Sequence, residues 1–128
     1  PGAAPRVERT AFAENLRPPW AGRPPRVGPW GRGGGARLKI VEGLAMGKAI
    51  VSTALGAEGI DAVAERDILI ADQPEAFAAA VNRLLADPGL AARIGQSARQ
   101  LATERYSWSR AAEALEAFYR SVIAEARA

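Results

Sequence analysis

Cysteine and histidine are both absent from the 128 residues. Their absence excludes disulfides, zinc sites of the usual ligand types, thiolate nucleophiles and every histidine-based triad or general base. No run approaches eighteen apolar residues and no signal-peptide core is visible, so no membrane-spanning helix is expected. What is present is 48% hydrophobic and 24% charged with a mean hydropathy of -0.09. That balance belongs to a globular chain, and 13.5 kDa leaves room for one small domain.

The net charge of +3 averages two unlike pieces. Residues 1–40 hold eight basic side chains against Glu8 and Glu14, a balance of +6 that leaves -3 for residues 41–128. Residues 1–35 also hold seven of the thirteen glycines and seven of the nine prolines. Only Val7, Phe12, Leu16 and Val27 are medium or large aliphatic or Phe side chains there, too few for a core, so the folded unit should begin near residue 35. Basic residues beside Trp20 and Trp30 are one way to bind nucleic acid. The arginines show neither helical nor strand periodicity, and no nucleic-acid motif accompanies them, so no nucleic-acid partner is expected.

From residue 36 the pattern is orderly. Arg37 to Met46 reads as a helix with Leu38, Val41 and Ala45 on its apolar stripe and Gly47 as its C-cap. Ala49 to Thr53 is a β-branched run suited to a buried strand, and Asp67 to Ala71 is a second. Gly56, Gly59, Glu58 and Asp61 mark the loop between them. Asp72-Gln73-Pro74-Glu75 has capping-box spacing ahead of the stripe Phe77, Val81, Leu84, Leu85. Asp87-Pro88 starts another helix, with Leu90, Ile94, Ala98 and Leu101 inward. Ser107 can cap a last helix, where Trp108, Leu115, Phe118, Tyr119 and Val122 line one side; such a stripe normally faces a core.

Continuous apolar strands alternating with helices indicate an α/β class with a parallel sheet covered on both faces. Two strands alone leave both edges open. Further strands are therefore expected to have preceded residue 36 in a longer protein, and the chain is expected to be the C-terminal part of a larger α/β domain.

Chemistry is expected where the Gly-rich turn meets the first helix. Gly31 to Lys39 gathers free backbone N–H groups, a positive helix end and the cations Arg32, Arg37 and Lys39, a combination suited to a phosphate or diphosphate. Two named motifs fall short. Gly31-x-Gly33-x-x-Ala36 resembles a dinucleotide fingerprint but has no predicted strand before it, and Gly43 to Ala49 is a Walker A loop one residue short without its Ser/Thr. Glu42 follows Leu38 by four residues, which places a carboxylate on the apolar side beside Ala45. Either it faces a cleft, where it can accept hydrogen bonds from a ribose cis-diol, or it lies at the stripe edge and reaches solvent or Lys39.

The run Gly33-Gly-Gly-Ala-Arg-Leu-Lys-Ile-Val-Glu-Gly-Leu-Ala-Met-Gly-Lys-Ala-Ile-Val-Ser-Thr, then Gly56-Ala-Glu-Gly-Ile-Asp, resembles the group-1 (family 4) glycosyltransferases. Asp67-Ile-Leu-Ile-Ala-Asp and Arg105-Tyr-Ser-Trp resemble the tail of that family, so the resemblance spans residues 33–126. It implies a partial Rossmann-like C-terminal domain of a GT-B enzyme over residues 33–128, with a helix-rich C-terminus. Residues 1–32, a Pro/Gly/Arg-rich arm, do not match; they are expected to be irregular, with a proline density that excludes a central strand. An out-of-frame or misassembled start would account for them, and translation of the upstream DNA in the other two frames tests that.

The resemblance further implies retaining glycosyl transfer from a nucleotide-diphosphate sugar to a glycan, lipid or other acceptor, without a metal or other cofactor. Glu42 matches the second Glu of the family's Glu-x7-Glu motif, which holds the donor ribose. Gly34, Gly35, Ala36, Arg37 and Leu38 match the backbone that approaches the donor sugar and diphosphate. Gly34 stands where the motif has its first Glu, and the family's diphosphate-binding Arg and Lys have no counterpart. No catalytic residue is identified, and the chain by itself is expected to be inactive. The setting implied is cytoplasmic, in cell-envelope polysaccharide synthesis, with room for peripheral membrane contact by a longer protein. The alternative expectation is a non-enzymatic helical interaction module that presents the last helix to a partner.

Overall fold

The computed structural model describes residues 26–28 and 36–128, with side chains from Leu38 onward. In chain order they form β1 (Arg26–Gly28), α1 (Ala36–Ala45), β2 (Ile50–Ser52), β3 (Leu69–Ile70), α2 (Pro74–Ala86), α3 (Pro88–Arg105) and α4 (Trp108–Arg127). The strands make one sheet in the order β1-β2-β3. Both pairings are parallel, with Val27 opposite Val51 and Val51 opposite Leu69. The arm thus contributes a strand where an irregular segment was expected. Pro25 and Pro29 flank it, and β1 lies at an edge of the described sheet, the position that proline tolerates. The exclusion of a strand from the arm on its proline density is corrected by β1.

Strand side chains alternate between faces, and this alternation divides the core in two. Ile50 and Ile68 point to one face, where Ile40 and Leu44 of α1 meet Ala98, Leu101 and Ala102 from the later half of α3. Val51 and Leu69 point to the other, against Leu84 of α2 and Leu90 and Ile94 from the earlier half of α3. A single helix therefore serves both faces of the sheet. The expected parallel α/β arrangement with helices on both sides is the one observed, and all four expected α3 positions are buried.

The α1 stripe differs from its expectation. Ile40, Gly43 and Leu44 face the sheet, whereas Leu38 is 67% exposed and Ala45 and Glu42 are exposed as well. Leu38, Val41 and Ala45 and the buried trio both satisfy helical spacing, and the larger side chains Ile40 and Leu44 take the core. The stop at Gly47 is as expected. Gly47 adopts φ +66°, its N–H donates to the Leu44 carbonyl at 2.9 Å, and the Lys48 N–H donates to the Gly43 carbonyl at 3.0 Å. These two bonds are the Schellman pattern. The turn is also clamped against α3, because a Cβ on Gly95 would land on the Gly47 carbonyl oxygen, inside van der Waals contact.

Caps decide where the later helices start. Asp87 Oδ1 accepts the Leu90 N–H at 2.9 Å, and Ser107 Oγ accepts the Arg110 N–H at 3.3 Å, so both expected caps form. Asp72 does not cap α2. The N-cap is Gln73, without a side-chain bond, and Asp72 Oδ1 instead accepts the Ala54 N–H at 2.8 Å. Phe77, Val81 and Leu84 pack inward as expected, but Leu85 is 53% exposed. The α4 expectation is overturned. None of its residues is buried, and Trp108, Leu115, Phe118, Tyr119 and Val122 all face outward. Correct amphipathic spacing specified a face but not a partner.

Candidate functional site

In a parallel sheet, a crossover helix begins beside the C-terminal end of one strand and ends beside the N-terminal end of the next. The unit β1-α1-β2 therefore sets the N-terminus of α1 at the edge where Gly28, Ser52 and Ile70 end their strands. Ligands of open α/β sheets bind outside this edge. Ala36, Arg37 and Leu38 open the helix, and N–H groups of a first turn have no acceptor within their own helix. No acidic residue occupies that turn, so its partial positive charge is not offset from within the helix. Gly34 and Gly35 lie outside the described residues. The objection to the Gly31-x-Gly33-x-x-Ala36 fingerprint falls, since a strand precedes it and a helix follows.

The loops leaving β2 and β3 are tied together at this edge. The Ala71 N–H donates to the Ser52 carbonyl at 2.9 Å, extending the ladder by one residue past the strands. Asp72 adds its bond to Ala54, and Thr53 Oγ1 accepts the Gly56 N–H at 3.0 Å. Farther along, the Asp61 N–H donates to the Tyr106 hydroxyl at 2.8 Å, which fastens the long β2–β3 connection to the end of α3. Sequence reasoning missed the loop tie because Asp72 also fits a capping box. The competing signal is its place directly after a buried strand, where a neighbouring loop supplies backbone donors.

Glu42 lies on the outward face of α1, one turn after Leu38 and one before Ala45 or Met46. Glu42 is exposed and not buried against the sheet, as the solvent-reaching of its two readings has it. Among the described residues no cluster of three or more acidic side chains gathers to hold a metal ion.

Among the described residues one carboxylate is buried, and it lies elsewhere. Asp67 is 1% exposed in the turn before β3. Burial alone raises its pKa, but bonds from the Arg66 guanidinium at 2.8 Å and 3.0 Å, the Ser97 hydroxyl and the Val63 N–H at 2.9 Å outweigh it, and the pKa falls to about 2. These bonds hold a turn in which Glu65 takes φ +65° and Ala64 bridges Ile68. Asp67 joins this turn to α3 and is structural. An Arg-Asp pair directly before an apolar strand is the signal that marks it.

The sequence pattern of a known family, described as glycosyl transferase-like, matches residues 28–117. The match begins at the last residue of β1 and runs through the Gly-rich turn, α1, β2, β3, α2 and α3 into α4. The chain belongs to the glycosyl transferase-like family. Its chemistry is accordingly glycosyl transfer, which requires a sugar donor and an acceptor. The matched range contains Glu42 and the whole ligand edge of the sheet, and it includes part of the arm assigned to residues 1–32. No curated protein and no solved structure matches the chain in the same comparisons. No helix among the described residues is long and apolar enough to cross a membrane.

Proposed function

We propose that this chain binds the nucleotide-diphosphate sugar donor of a retaining, GT-B type glycosyltransferase, with a Rossmann-like α/β sheet as the platform. The observation that carries the reading is the β1-α1-β2 unit, which sets the N-terminus of α1 at the C-terminal edge of the sheet and carries the exposed Glu42 on the same helix. Backbone N–H groups from Gly34 to Leu38 are suited to the diphosphate, because the helix end and the unhindered glycine backbone both favour an anion. Glu42 accepts hydrogen bonds from the two ribose hydroxyls, one to each carboxylate oxygen. In the transfer itself the bond from the anomeric carbon to the diphosphate breaks and a bond to an acceptor hydroxyl oxygen forms. The departing phosphate can take the acceptor's proton, which suits a chain without histidine. The reading places the protein in the cytoplasm, in cell-envelope polysaccharide synthesis, with acceptor binding and turnover dependent on a further domain.

Calorimetric titration of the chain with UDP- and GDP-sugars tests this. Glu42→Ala is expected to weaken binding about tenfold to a hundredfold, the worth of two charge-assisted hydrogen bonds. A 2′-deoxy donor should lose affinity against the unaltered chain and lose little more against the variant. Absence of binding to every nucleotide-sugar, or full affinity in Glu42→Ala, would overturn the assignment.

A further inference from the structure

Two helices start at the ligand edge, and their N-termini differ in charge. α1 opens after β1 with no acidic residue in its first turn and with the exposed Lys39 there. α2 opens after β3 at the same edge, because a helix that follows a strand begins beside that strand's C-terminal end. Its first turn contains Glu75, Pro74 removes one backbone N–H, and Asp72 lies two residues ahead. The partial positive charge that suits α1 to a diphosphate is thus offset at α2 by carboxylates. Neither Asp72 nor Glu75 enters an ion pair among the described residues.

Asp72 is exposed and yet fixed in place. Its Oδ1 accepts the Ala54 N–H at 2.8 Å, and the neighbouring Ala71 N–H is bonded to the Ser52 carbonyl at 2.9 Å. These bonds hold the carboxylate against the turn that leaves β2. Since β2 separates β1 from β3, the two ends of the edge are about 10 Å apart. The turn between them, Thr53-Ala54-Leu55-Gly56, is uncharged. A ligand with its diphosphate at α1 therefore meets an increasingly negative potential as it crosses toward β3.

We propose that Asp72 is a specificity-determining residue that favours donors with an uncharged sugar over those carrying a hexuronic acid. The inference rests on the reading in which α1 holds the diphosphate and ribose, which leaves the sugar to lie over β2 and β3. A sugar carboxylate there meets Asp72 as a like charge, whereas a hydroxymethyl group does not. UDP-glucose and UDP-glucuronic acid differ in this one group, as do GDP-mannose and GDP-mannuronic acid. Calorimetric titration at low salt should give the neutral member of a pair about threefold to tenfold the affinity of the acid, and about 0.5 M NaCl should shrink that ratio. Asp72→Asn keeps an oxygen for the Ala54 N–H and removes the charge. Binding of the uronic acid should rise in that variant and the ratio fall toward one, while amide exchange at Ala54 stays slow. Glu116→Gln, which removes one negative charge from α4, should leave the ratio as it was. Equal affinities in the unaltered chain, or a ratio that Asp72→Asn leaves intact, would overturn the proposal while donor binding stands. Failure of all four nucleotide-sugars to bind would overturn the donor reading and this inference with it.

Discussion

Asp67 shows how one side chain can join distant pieces. Its folded pKa of about 2 lies below the ordinary 3.8, so the carboxylate contributes stability that is complete above pH 4 and is lost as pH falls toward 2. The contribution is about 1–2 kcal/mol after allowance for the exposed Arg66 partner. Urea melts from pH 5 to pH 2 should show this loss, and Asp67→Asn should be less stable at neutral pH and flatter across that range. Gly47 and Gly95 separate two reasons for glycine. Gly47→Ala meets only ordinary contacts but is strained at φ +66°, costing about 1 kcal/mol. Gly95→Ala drives a methyl into the Gly47 carbonyl and should cost about 1–3 kcal/mol as α1 and α3 are pushed apart. Thermal melts of the two variants should rank them in that order.

At the scale of elements, local signals worked where the chain itself supplies the partner. Asp87 and Ser107 lie one position ahead of their helices, and both caps form because the accepting oxygen and the free N–H are only three residues apart. Asp72 carries the same signal, but Ala54 offers its N–H across the sheet and takes the carboxylate. Asp87→Ala should therefore destabilise the fold by about 1 kcal/mol, because Leu90 is anchored in the first turn it caps. Asp72→Ala should leave the helix content of α2 unchanged and instead speed amide exchange at Ala54; unchanged exchange there would contradict the tie. The stripes divide similarly. Leu90, Ile94, Ala98 and Leu101 all reach the core, whereas α1 offered two compatible stripes and the bulkier Ile40 and Leu44 prevailed.

For the molecule as a whole, the opening absences remain the firmest exclusions, since no folding event can supply a thiol or an imidazole the chain does not have. Continuous apolar strands, helical stripes, caps and the order of motifs made the parallel α/β class and the Glu42 helix legible, because each depends on residues a few positions apart. Three results required the tertiary structure. The arm supplies β1, since strand pairing with residues 50–52 is a long-range event that Pro-rich composition does not forbid at an edge. Glu42 faces outward, since the choice between two helical faces is made by the sheet they compete to cover. The last helix faces outward as well, since an amphipathic pattern records that a surface must be covered and only packing records what covers it.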